Sequence, residues 1–353
     1  MDIWKWVNDI HDSLRDAGED RLAYLLFEIP NQVCRNNHEH VDALIPEALA
    51  LSKKTGNTWL EIFFRHWNLQ SRLFHRYEPI NLLSEAVSLL EFSHREENKQ
   101  CPQSICVVQD FAKCYALLDG PGYFSERIDV LKETFHRINS KWPCFFCLTG
   151  EYVDALCDIG NFNEALSFLD KQNAELILVN DKGAQNELCY NYAKVFFNLG
   201  QYDEAYKYVK KSKFRNGDQK DFREKKIILS ALILAKLNRF SESKQKLLKF
   251  DKIKKTHEHF MFWAQTRYEL AINDIIPFDL ELNNQFQFMV DKLSNNGVIR
   301  ESINIALLQG ELLIKNNELK AFERCCNYIE YLMPKLRKPL DAYDKLNSLR
   351  LKL

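Results

Sequence analysis

The chain has 353 residues, 46% hydrophobic and 27% charged, with 11 Gly, 9 Pro and a formal net charge of −1. Few breakers and recurrent Leu, Ala, Glu and Lys favour helix over sheet, and near-neutrality argues against a nucleic-acid-binding chain. The charge is uneven, however: residues 1–200 hold 19 Lys and Arg against 29 Asp and Glu, and residues 201–353 hold 29 against 20. Such a polarity either decorates solvated helix faces or promotes contact with an acidic partner or head-to-tail self-association.

Asp2, Asp9 and Asp12 stand where a secretory signal needs a basic start and an apolar core, so export is not expected. Ile227–Ala235 is about half the ~20 residues of a membrane-spanning helix and reads as buried core, so no membrane partner is expected. Ten cysteines spread over a chain of this length suggest a reducing, cytoplasmic setting. Periodicity predicts helices over 3–16, 20–35, 40–54, 58–76, 80–95, 102–118, 123–139, 144–159 and 162–178. The series continues over 184–199, 202–213, 220–237, 240–250, 256–273, 279–294, 298–316, 318–334 and 338–352. No long linker interrupts it, which predicts one domain over 1–353: capping helices at 1–36, with Trp4 and Trp6 covering the first hairpin, repeats at 37–334 and a capping helix at 335–353.

The elements recur. Gly160-Asn-Phe-Asn-Glu-Ala165, Gly200-Gln-Tyr-Asp-Glu-Ala205 and Asn238-Arg-Phe-Ser-Glu-Ser243 align without gaps. The mark position runs Ala48, Ala86, Arg127, Ala165, Ala205, Ser243, Leu282 and Ala321, at intervals of 38 to 41 residues, the first seven preceded by Glu and the eighth by Lys320. Five residues before these marks stand Asn81, Gly122, Gly160, Gly200, Asn238 and Asn316, types that tolerate the left-handed conformation ending a helix. Nine residues before them, large apolar residues such as Tyr77, Leu118 and Phe196 fall on the preceding helix. Each repeat is therefore a helical hairpin that cannot bury its apolar face alone, so about eight hairpins stack into an all-α solenoid.

Gly-x-Phe/Tyr-x-Glu-Ala with an apolar residue four positions later resembles the centre of the tetratricopeptide repeat, most clearly in residues 141–250. The interval is about 39 residues instead of the family's 34, as in the longer variants found in bacterial regulators and signalling sensors. The resemblance implies a right-handed superhelix of antiparallel hairpins whose concave groove, lined by first helices, holds a protein or peptide.

Three constellations are candidates for function. Cys101-x4-Cys106 and Cys144-x2-Cys147 open the first helices of consecutive repeats, and Cys106 and Cys144 both lie 21 residues before their marks. Four thiols meeting there would suit structural zinc, a redox dithiol, or plain packing at a repeat interface. Helical spacing sets Arg65, Asn68, Arg72, His75 and Arg76 on one polar stripe, donors suited to a partner's carboxylate or phosphate. Family geometry adds Tyr190 and Lys194 as inward-facing first-helix positions. The basic run Lys210–Lys226 is interleaved with acids and reads as a hydrated loop, so a nucleic-acid partner is not favoured. His38-Glu39-His40 and His257-Glu258-His259 place their imidazoles apart on a helix and lack the His-Glu-x-x-His spacing.

No phosphate loop, dinucleotide fingerprint or nucleophile elbow is present, so a non-enzymatic protein-protein interaction scaffold or adaptor without a cofactor is expected, structural zinc apart. The alternatives are a peptide or small-molecule sensor whose superhelix changes curvature, and a zinc-stabilised or redox protein using the four cysteines.

Overall fold

The structure, a computed structural model, describes residues 3–142, 144–213, 220–253 and 257–352. Among these residues there are eighteen α-helices and no strand. The chain is an all-α helical repeat solenoid, and its residues divide into two compact units, 1–116 with 125–151 and 117–124 with 152–353.

The first unit contains α1 (Ile3–Asp16), α2 (Asp20–Cys34), α3 (His38–Thr55), α4 (Thr58–Gln70), a π-helical stretch Ser71–Arg76, α5 (Leu83–Ser93) and α7 (Phe124–Phe135, from residue 125). It also takes α6 (Ser104–Asp119) up to residue 116 and the first part of α8 (Phe145–Asp158). Trp4 lies 6.3 Å from Trp67, and Trp6 lies 6.1 Å from Trp59 and 5.9 Å from Phe63. The N-terminal tryptophans thus reach α4.

The second unit holds α9 (Phe162–Leu178), α10 (Lys182–Asn198), α11 (Tyr202–Lys211), α12 (Lys220–Lys236) and α13 (Phe240–Lys246). It ends with α14 (His257–Ile272), α15 (Leu280–Asn295), α16 (Ile299–Lys315), α17 (Leu319–Leu332) and α18 (Leu340–Arg350). α12 packs on its own second helix, α13, and on the next first helix, α14, which in turn packs on α16. Tyr190, Ala193, Ala205, Val209, Leu229 and Ile233 form one buried cluster across α10, α11 and α12. A small side chain at Ala205 lets these helices approach closely.

Seven marks are buried: Ala48, Ala86, Arg127, Ala165, Ala205, Ser243 and Leu282. The eighth, Ala321, is only half-buried, and Phe322 beside it takes the inward position. The turn slips with it, since Asn317 and not Asn316 has positive φ (+60°). Asn81, Gly160, Gly200 and Asn238 adopt the expected left-handed conformation. Gly122 does not; a Cβ there would stand 2.3 Å from Asp119 Oδ2, so close approach requires the glycine. No helix among the described residues is long and apolar enough to cross a membrane.

Candidate functional site

α4 is fixed at both ends. The Asn57 side-chain Oδ1 caps its start, accepting from the backbone N–H of Trp59 (3.1 Å) and Leu60 (3.3 Å). Leu60, Ile62, Phe63, Phe64 and Leu69 are fully buried. His66 Nδ1 lies 2.6 Å from Asp110 Oδ2, and Gln70 Nε2 donates to Oδ1 at 2.7 Å, joining α4 to α6. Burial pushes the Asp110 carboxyl above its ordinary range, while His66 and Gln70 pull the other way.

The sequence predicts a straight helix to residue 76, but the last turn is π-helical. Tyr77 N–H donates to the Arg72 carbonyl, Glu78 N–H donates to the same oxygen at 3.0 Å, and Tyr77 takes φ +56°. A bulky residue there is strained, and π-helical turns occur frequently at functional sites. Tethers to the preceding hairpin hold the widened turn: His75 Nδ1 to Asn36 Oδ1 at 2.7 Å, and Arg76 to both Asp42 oxygens at 2.8 Å. His38 Nδ1 meets the Ser71 hydroxyl at 3.0 Å.

These contacts divide the predicted stripe. Arg65 is committed to Glu85 at 2.7 and 3.1 Å and to Ser88 at 3.1 Å, bracing α4 on α5. His75 and Arg76 are tethered as above. Asn68 and Arg72 are half-buried, and among the described residues neither side chain has a hydrogen bond or ion pair. Arg72 therefore presents an uncommitted planar donor fork on a turn whose neighbours are pinned, an arrangement suited to bidentate capture of a carboxylate or phosphate.

Tyr190 and Lys194, on α10 in the other unit, are engaged with neighbouring helices. Lys194 Nζ lies 2.5 Å from Asp154 Oδ1 and 5.7 Å from the Tyr190 ring centroid. Tyr190 OH donates to Glu258 Oε1 at 3.3 Å, and Lys225 pairs with Glu258 at 2.6 Å. Burial pulls the Lys194 pKa down, but Asp154 and Glu258 outweigh it and the ammonium is held above its ordinary range. Lys194 and Asp154 stand 40 residues apart, one repeat, so this is a rung between successive first helices.

The four cysteines expected to converge are arranged differently. Cys106 is disulfide-bonded to Cys144, with Cα atoms 6.0 Å apart, while Cys101 is buried and Cys147 exposed. Burial pushes the Cys101 thiol up to about 12. Bonded sulfurs are not thiolate ligands, and among the described residues no group of three or more His, Cys, Asp or Glu side chains is disposed to hold a metal. The 38-residue interval brings Cys106 and Cys144 together, and their sulfurs are spent on each other.

His38 and His40 serve different partners, His40 Nε2 lying 3.6 Å from Glu28. Residues 214–219 of the basic run lie outside the described residues; Lys226 Nζ donates to the backbone carbonyl of Ser212 at 2.5 Å. Sequence reasoning missed Asn36, Asp42, Ser71 and Tyr77. Nothing local signals tethers to partners 34 and 39 residues upstream.

No protein-family model matches the chain, and neither does any curated protein. Among solved structures it is similar to a crystal structure of a Rap protein complexed with competence and sporulation factor, at 14% identity and a TM-score of 0.62. The match covers 97% of this chain and 93% of that one. The likeness is one of fold, a tetratricopeptide-repeat-like helical solenoid.

Proposed function

We propose that this chain is a non-enzymatic interaction scaffold or regulatory adaptor that captures an anionic segment of a partner protein on the α4 and π-helical face, with Arg72 as the central contact. The observation that carries the reading is a guanidinium without a partner among the described residues, on a π-helical turn whose flanking Arg65, His75 and Arg76 are already held. Preorganisation of that kind lowers the ordering cost of binding. The solved neighbour's complex supports the reading in kind, as the same fold holds a bound factor there.

A second reading, a sensor, is favoured by the π-helical turn itself. A ligand that drew Arg72 outward would let Ser71–Arg76 return to α-helical pairing and release the tethers to Asn36 and Asp42.

The test is affinity capture from the native host by wild type and Arg72→Glu, read by quantitative mass spectrometry. A charge-assisted fork is worth about tenfold to a hundredfold in affinity, so the variant should lose the partner while melting at the wild-type temperature. Unaltered capture would remove this face from the account.

A further inference from the structure

The last hairpin departs from the repeat pattern and leaves a cavity of about 290 Å³ between α15 and α17, floored by α16. The register slip lies beside it. Phe322 replaces the small residue at the inward position, and Gly310 on α16 lies where a Cβ would stand 2.9 Å from Leu349 Cδ2. Ala321, displaced from the core, becomes part of the wall.

The lining has an apolar part, Val290, Ala306 and Leu313, and a polar part that contains no carboxylate. Gln309 is only 4% exposed, and its Nε2 donates to Asn283 Oδ1 at 2.8 Å. That bond leaves Gln309 Oε1 and Asn283 Nδ2 without a partner among the described residues, an acceptor beside a donor at the cavity wall. Arg324 lies on the rim and likewise has no partner among the described residues. The other polar groups are committed: Gln287 Nε2 donates to Asp291 at 2.9 Å, Tyr328 shares a hydrogen bond with Ser294 at 2.8 Å, and the Cys325 thiol donates to the Ala306 carbonyl at 3.2 Å.

An unspent acceptor and donor side by side match the N–H and C=O of a planar amide, and an adjacent guanidinium matches a carboxylate. We propose that this cavity binds an N-acyl α-amino carboxylate with a small apolar side chain, either a free N-acylamino acid or the C-terminus of a peptide. Arg324 takes the carboxylate, Gln309 and Asn283 take the amide, and Val290, Ala306 and Leu313 cover the side chain. The site lies in the second unit and is independent of Arg72.

The test is calorimetric titration of the full chain with N-acetyl-L-valine, N-acetyl-L-valinamide, and an acetylated pentapeptide ending in valine, repeated on Arg324→Ala and Gln309→Leu. The free acid should bind about tenfold more tightly than its amide, and Arg324→Ala should erase that preference. Gln309→Leu should weaken acid and amide alike. Equal affinity for acetyl-valine and the pentapeptide identifies the small acid as sufficient, and tighter pentapeptide binding identifies a chain terminus. Arg324 is exposed, so its variant keeps the fold. Equal binding of acid and amide, no heat from either, or an unchanged preference in Arg324→Ala overturns the proposal.

Discussion

His94 follows α5 with its Nε2 buried and without a hydrogen bond. Burial pushes this imidazole below its ordinary pKa, Arg137 and Lys99 add to the effect, and Glu133 opposes it. The folded state therefore prefers the neutral ring. Its contribution to stability is present above pH 6.5, the unfolded value, and is lost as the pH falls from there through the lower folded value. Denaturant titrations of wild type and His94→Phe should show the wild type losing stability relative to the variant below about pH 6.5. Parallel stability curves across that window would show that the ring is not held neutral.

At the scale of the elements, the helices were legible because each obeys its own period and its own stop signal. Gly160 and Gly200 end helices by left-handed turns, so a chain met without context still declares its hairpins. What failed was local register and tertiary tethering. Asn316 and Asn317 are adjacent and equally fit for the turn; Asn317 takes it in register with Phe322, five residues on, which is the buried residue. The stripe from Arg65 to Arg76 was legible as a helix face. Its division into braced and uncommitted groups was not, because Glu85, Asp42 and Asn36 sit on other helices and turns. The cysteine interval correctly implied neighbouring side chains, but spacing carries no information about whether two sulfurs meet each other or an ion.

At the scale of the whole molecule, a solenoid is expected to be held by contacts between neighbours. The second unit adds one that no period could predict: Arg300 on α16 donates to Asp119 Oδ1, 181 residues away, at 2.5 Å. It also donates to both Asp341 oxygens at 2.8 Å and to the Lys338 carbonyl at 2.6 Å. Lys338 N–H completes the clasp on Asp119 Oδ2 at 2.9 Å, and Arg337 lies 4.6 Å from the Tyr123 ring centroid. Asp119 is almost fully buried, so removing the guanidinium leaves an uncompensated carboxylate. Arg300→Met should cost about 3 kcal/mol in denaturant unfolding, whereas Lys345→Met, at an exposed pair with the same Asp341, should cost well under 1 kcal/mol. Similar losses for the two would mean that the clasp does not stabilise the unit.

The scaffold reading rests on one face, that of α4 and the turn after it. Amide hydrogen exchange of the full chain, with and without the partner it captures, measures that face directly. Binding should slow exchange across residues 58–77, with Arg72→Glu abolishing the effect. Unchanged exchange there, with protection confined to a surface of the second unit such as the exposed Ile177, Leu178 and Val179, would contradict the account.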